Sequence, residues 1–98
     1  MNYHMLIWKN SSPNMPKIII YEVGIYGYET RKLEFFDGGK IGYAYDEIEY
    51  CECEIAHPTG LSDQPSPQID DYNQNPVFLA KAISKDYFEM AWDKFGPE

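Results

Sequence analysis

"YETRKLEFFDGGKIGYAY", residues 28–45, holds the pattern on which the fold turns. Glu29, Arg31, Leu33 and Phe35 alternate with Tyr28, Thr30, Lys32, Glu34 and Phe36, the period of a strand. Asp37-Gly38-Gly39-Lys40 then supplies residues that tolerate positive φ, and Ile41 starts a second arm. A β-hairpin is expected. On its second arm Ile41, Tyr43 and Tyr45 share a face, while Gly42 and Ala44 leave the other face thin.

Towards the N-terminus, "KIIIYEV" (17–23) is too short for a helix and rich in β-branched residues, so it reads as a central strand covered on both faces. Tyr21, Tyr26 and Tyr28 are expected to pack on the sheet. "YHMLIWK" (3–9) reads as a first strand, stopped by Asn10-Ser-Ser-Pro-Asn. Towards the C-terminus, an extended "EYCECEI" (49–55) would project Tyr50, Glu52 and Glu54 to one side and Cys51, Cys53 and Ile55 to the other.

Residues 57–77 carry four of the seven prolines and read as a loop with one helical turn around Ile69 to Gln74. "FLAKAI" (78–83) reads as a last short strand. Ser84 is placed to cap a helix whose Phe88, Ala91, Trp92 and Phe95 form an i, i+3, i+4, i+7 stripe, ended by Gly96-Pro97. The expected architecture is α+β: an antiparallel sheet of about four to six strands with a C-terminal helix on one face. Its 98 residues imply a single domain, 1–98.

Apolar residues make up 44% of the chain and aromatics 16%, ample volume for a packed interior. The longest apolar run, Ile18 to Tyr21, falls far short of the ~20 residues of a membrane span. Met1-Asn-Tyr-His lacks the features of a signal peptide, so the expected location is cytoplasmic and no membrane partner is expected. Cys51 and Cys53 do not form a disulfide framework and read as free thiols.

Cys51-x-Cys53-x-x-x-His57 offers three metal ligands, where structural zinc wants four in two separated pairs. Buried thiols beside a loop histidine are the plainer reading, and no metal or cofactor is expected. The acids fail the spacing of a calcium loop. The neutral-pH bases are His4 and His57, and neither stands beside a nucleophile elbow, a phosphate-cradling loop or a paired-histidine motif. The chain is not expected to be an enzyme.

Charge is the informative feature. Residues 41–80 hold eight acids and no Lys or Arg, whereas the rest of the chain is balanced, so the whole net charge of −8 comes from one segment. Such a field repels nucleic acid, whose binding needs cations, and raises association rates with a basic protein. Tyrosines among carboxylates add rigid anchors of the kind that dominate protein interfaces. The expected contact residues are Asp46, Glu47, Glu49, Tyr50, Glu52 and Glu54, with Asp70, Asp71 and Tyr72 as a second patch.

The blocks "YETRKLEFFDGGKIGYA" (28–44), "PSPQIDDYNQNPVF" (65–78) and "ISKDYFEMAWDKF" (83–95) resemble a small acidic bacterial domain family of unknown function. That family shares Tyr/Trp-Glu-x-Arg-Lys-x-Glu-x-Phe, Asp-Gly, Gly-Tyr-Ala, a Pro-x-Pro loop and a closing Ile-[Ser/Thr]-x-x-x-Phe-x-x-x-Trp. It resembles in turn the immunity proteins encoded beside bacterial toxin domains, including those of contact-dependent growth inhibition. The resemblance implies an immunity protein that neutralises a cognate basic toxin domain, with a nuclease as the expected target. The alternative is an accessory or regulatory domain that recognises a basic host protein, or a peptide by strand-edge pairing.

Overall fold

The computed structural model describes residues 1–52 and 59–98. The described residues form six strands, β1 (Asn2–Trp8), β2 (Ile18–Val23), β3 (Glu29–Phe35), β4 (Ile41–Tyr45), β5 (Ile48–Cys51) and β6 (Phe78–Ala82), and two α-helices, α1 (Ile69–Asn73) and α2 (Lys85–Phe95). The strands form one sheet in the order β5-β4-β3-β2-β1-β6, and every neighbouring pair is antiparallel. Five consecutive strands run as a meander, and the last strand returns to the far side of β1. The fold is the α+β arrangement expected of the sequence pattern.

The 28–45 hairpin forms as anticipated, with Leu33 opposite Tyr43 and Phe35 opposite Ile41. A single 3-10 turn, Asp37–Gly39, joins the arms, and Gly38 and Gly39 hold φ values of 79° and 77° that a side chain would disfavour. In β2, Ile20 and Tyr21 are each 1% exposed and face opposite sides, as a central strand demands.

One face of the sheet packs against α2. Tyr3, Met5, Ile20 and Leu33 meet Phe88, flanked by Ile7, Ile18, Phe35, Ala91, Trp92 and Phe95. Ser84 caps the helix by accepting a hydrogen bond from the Tyr87 N–H at 3.0 Å. The opposite face buries Leu6, Tyr21, Val23 and Ala80 beneath Ile69 and Tyr72 of α1 and Phe78.

Two expectations are corrected. Tyr26 and Tyr28 do not pack on the sheet. They lie in the β2–β3 turn, closed by Gly24 N–H to the Tyr28 carbonyl at 2.8 Å, and are 83% and 45% exposed. Strict alternation along β3 also fails at its start, because the register slips between Glu22 and Val23: Arg31 pairs with Glu22, but Glu29 pairs with Val23. The extra residue, Thr30, turns its hydroxyl onto the Glu22 carboxylate at 2.6 Å. The slip moves Glu29 to the face that carries Lys32, and the two pair at 2.8 Å. The extended strand read at 49–55 is described only to Cys51, so the sides assigned to Cys53, Glu54 and Ile55 lie outside the described residues.

Candidate functional site

Arg31 is the link between sheet and helix. Its guanidinium donates a two-pronged hydrogen bond to Glu22, Nε to Oε1 at 3.0 Å and a terminal nitrogen to Oε2 at 2.7 Å, and also pairs with Glu89 of α2. It lies 4.9 Å from the centre of the Phe88 ring and 5.2 Å from that of Trp92. The Arg31 hydrogen bonds hold the Glu22 carboxyl well below the usual range, at about 2. This network explains why the blocks around 28–36 and 83–95 belong together: Arg31 comes from one, and Glu89, Phe88 and Trp92 from the other.

The side of the sheet away from α2 is strapped as well as packed. Residues 59–66 are held on β3 and the neighbouring turn by three hydrogen bonds. Lys32 Nζ donates to the Gly60 carbonyl at 3.1 Å, Ser62 N–H to Glu29 at 2.7 Å, and Ser66 N–H to the Gly27 carbonyl at 2.8 Å. Thr59, 2% exposed, fills the thin side of β4, where a Cβ on Gly42 would stand 1.9 Å from its hydroxyl oxygen. The Glu34 carboxyl beneath this strap is pushed up by burial.

A helix with its side chains is about 10 Å wide and strands are about 4.8 Å apart, so one helix covers two or three strands. α2 lies over β1 and β2 and reaches β4 through Trp92. The α2 side of β4 and β5 is left with no helix upon it among the described residues. It carries an aromatic plate. Tyr43 stacks on Tyr50 across the strands, with ring centres 4.7 Å apart and planes inclined by 28°. Tyr45 meets the edge of Trp92 at 5.8 Å, and Tyr43 meets it at 6.4 Å. Ile48, opposite Tyr45, is 46% exposed and Tyr50 is 41% exposed.

Carboxylates rim this plate. Asp46 and Glu47 form the two-residue turn between Tyr45 and Ile48, with Asp46 at a positive φ of 51° that Asp tolerates better than most residues. Glu52 follows β5 and accepts a hydrogen bond from the Ile41 N–H at 2.9 Å. The Tyr50 hydroxyl is pushed up, first by desolvation and then by the charge of Glu52. Glu49 pairs with Ala44 and belongs to the opposite side of the strand from Tyr50. Among the described residues, none of Asp46, Glu47, Glu49 and Glu52 takes part in an ion pair. Glu54, also expected at this surface, lies outside the described residues.

The second expected patch sits elsewhere. Asp70, Asp71 and Tyr72 are on α1, which packs beside β6 at the other edge of the sheet, five strand steps or about 24 Å from β5. Asp71 is engaged there in capping the helix, accepting from the Gln68 N–H at 3.1 Å, and Tyr72 packs edge-on against Phe78 at 5.8 Å. The contiguous run of acids in the sequence is therefore divided between two edges. The plate also contains residues that sequence reasoning assigned to the core or to no role: Trp92, Tyr43 and Ile48. The shared face of Tyr43 and Tyr45 was the available signal, but the reach of α2 was not.

The edge of β6 is capped at Phe78 and Ala80. Asn73 accepts from the Ala80 N–H at 2.7 Å and donates to the Ala80 carbonyl at 2.9 Å, as a neighbouring strand would, and Phe78 N–H donates to the Asn75 carbonyl at 3.0 Å. Among the described residues no group of three or more His, Cys, Asp or Glu side chains is placed to hold a metal ion, and Cys53 and His57 lie outside them. No helix among the described residues is long and apolar enough to cross a membrane.

Sequence comparison matches residues 2–97 to a domain of unknown function, DUF6881. The chain belongs to this family. No curated protein and no solved structure matches it. The DUF6881 match spans the whole sheet and both helices, so the Arg31 network and the strapped second face both lie within the family's domain.

Proposed function

We propose that this DUF6881 protein is a cytoplasmic immunity protein that binds and neutralises a cognate basic bacterial toxin domain, a nuclease, without catalysis of its own. The observation that carries the reading is the aromatic plate of Tyr43, Tyr45, Tyr50 and Trp92, half-buried on its inner side and exposed at Tyr50, at the edge of the sheet, with Asp46 and Glu47 at one end of β5 and Glu52 at the other. Rigid aromatic surface ringed by charge is the composition of a protein-binding hot spot. A nuclease must present cations where phosphates go, and a border whose carboxylates Asp46, Glu47 and Glu52 are in no ion pair among the described residues matches that field. Carboxylates would steer the encounter while the tyrosines set the lifetime of the complex.

Strand-edge recognition of a peptide is the competing reading. The capping of β6 argues against it on that side, since Asn73 already takes both outward backbone groups of Ala80 and the Asn75 carbonyl takes the Phe78 N–H.

The test is binding of the purified chain to the product of the neighbouring upstream reading frame, at low and at high salt, followed by a nuclease assay of that product. Tight binding with an association rate that collapses in salt, and inhibition of the nuclease, is the expected result. Absence of binding at either salt overturns the reading.

A further inference from the structure

We propose that the aromatic plate is a seat for arginine: a guanidinium of the partner lies flat on the open face of the Tyr50 ring, whose other face stacks on Tyr43, with the Glu52 carboxylate beside it two residues along the same side of the chain. The inference rests on the function proposed above and specifies the chemistry of the partner's central contact.

The chain already builds one such seat for itself. Arg31 lies over Phe88 and Trp92 and is held by two carboxylates, Glu22 and Glu89. Trp92 is shared between that internal seat and the external plate, because Tyr43 and Tyr45 contact its ring in turn. The plate repeats the ingredients of the internal seat, stacked rings and nearby acids, and its outer part differs in having no cation among the described residues: Arg31, opposite Tyr45 at the inner border, is spent on Glu22 and Glu89. Residues 41–80 contain no Lys or Arg, and among the described residues the acids Asp46, Glu47, Glu49 and Glu52 are unmatched by any ion pair.

Charge selects the occupant. A second copy of the chain carries the same net −8 and would bring carboxylates against carboxylates. A purely apolar partner would leave the rim acids desolvated without compensation. Between the two basic side chains, the planar and weakly hydrated guanidinium stacks on flat rings, whereas the compact ammonium of lysine keeps its water and gains mainly from net charge.

The experiment titrates the 98-residue chain with hexa-arginine and with hexa-lysine, peptides of equal charge, and follows the tyrosine and tryptophan ring resonances by NMR. Hexa-arginine is expected to bind at least tenfold more tightly and to move the rings of Tyr43, Tyr50 and Trp92. Tyr50→Ala should bring hexa-arginine down to the hexa-lysine affinity, and Tyr50→Phe, which keeps the ring, should preserve the preference. Thermal melting of both variants confirms that they fold. Equal affinity for the two peptides, or an arginine preference that survives Tyr50→Ala, overturns the inference. If the neighbouring gene product binds in the same assay while the preference is absent, the seat alone fails. If neither that product nor either peptide binds, the immunity reading fails with it.

Discussion

The guanidinium of Arg31 stands 4.9 Å from the centre of the Phe88 ring, joining a β-hairpin to the closing helix across 57 positions of sequence. The same group fills the carboxylate of Glu22, which is only 4% exposed. Arg31→Lys keeps the charge but loses the fork and the planar stack, and Arg31→Ala leaves Glu22 buried without its cation. The alanine variant should cost about 3–5 kcal/mol and the lysine variant a substantial part of that, read from urea midpoints.

Acid should unfold the protein through Glu22. Its folded pKa, about 2, lies below the ordinary carboxylate value, so its contribution is fully present above the unfolded pKa and is lost as pH falls through about 2. That shift corresponds to roughly 3 kcal/mol. Urea midpoints measured from pH 5 to pH 2 should fall steeply in the wild type and far less in Glu22→Gln. Glu34 works in the opposite sense: burial raises its carboxyl, so stability is lost as pH rises through its folded pKa. Glu34→Gln should therefore raise the neutral-pH midpoint.

Asn73 covers the backbone of Ala80 on the outer edge of β6. Asn73→Ala should cost about 1–3 kcal/mol through the unsatisfied N–H and C=O. It should also open a pairing edge. Sedimentation velocity at rising concentration is expected to show self-association of the variant and none of the wild type.

Gly42 leaves no room for a methyl group, because its Cβ position lies 1.9 Å from the Thr59 hydroxyl oxygen and 3.0 Å from the Thr59 Cβ. Gly42→Ala should destabilise by about 1–3 kcal/mol as the strap over β4 is pushed outward. Adding Thr59→Gly removes the obstructing atoms, and a double variant more stable than Gly42→Ala alone is the outcome that ties the cost to this contact.

Rim charge and plate should separate in binding kinetics. Asp46→Asn, Glu47→Gln and Glu52→Gln together should slow association with a basic partner about tenfold at low salt and flatten its salt dependence, with dissociation little changed. Tyr50→Ala should act mainly on dissociation. Surface plasmon resonance at several salt concentrations distinguishes the two.

The 28–45 hairpin, the doubly covered β2 and the Ser84-capped helix were legible in the sequence because each depends on local periodicity and on glycine or capping residues at fixed offsets. The concentration of negative charge between residues 41 and 80 was legible for the same reason: it needs only counting. The bulge at Thr30 was not, because a one-residue slip is decided by what Glu22 can bond across the strands. Nor was the division of the acids between two edges. Sheet order places β5 and β6, beside which α1 packs, about 24 Å apart, although α1 follows β5 directly in the order of described elements. The plate itself is a product of tertiary geometry. One helix is too narrow to cover six strands, so Tyr43, Tyr45 and Trp92, rings whose size suits a core, end at its open border beside Tyr50.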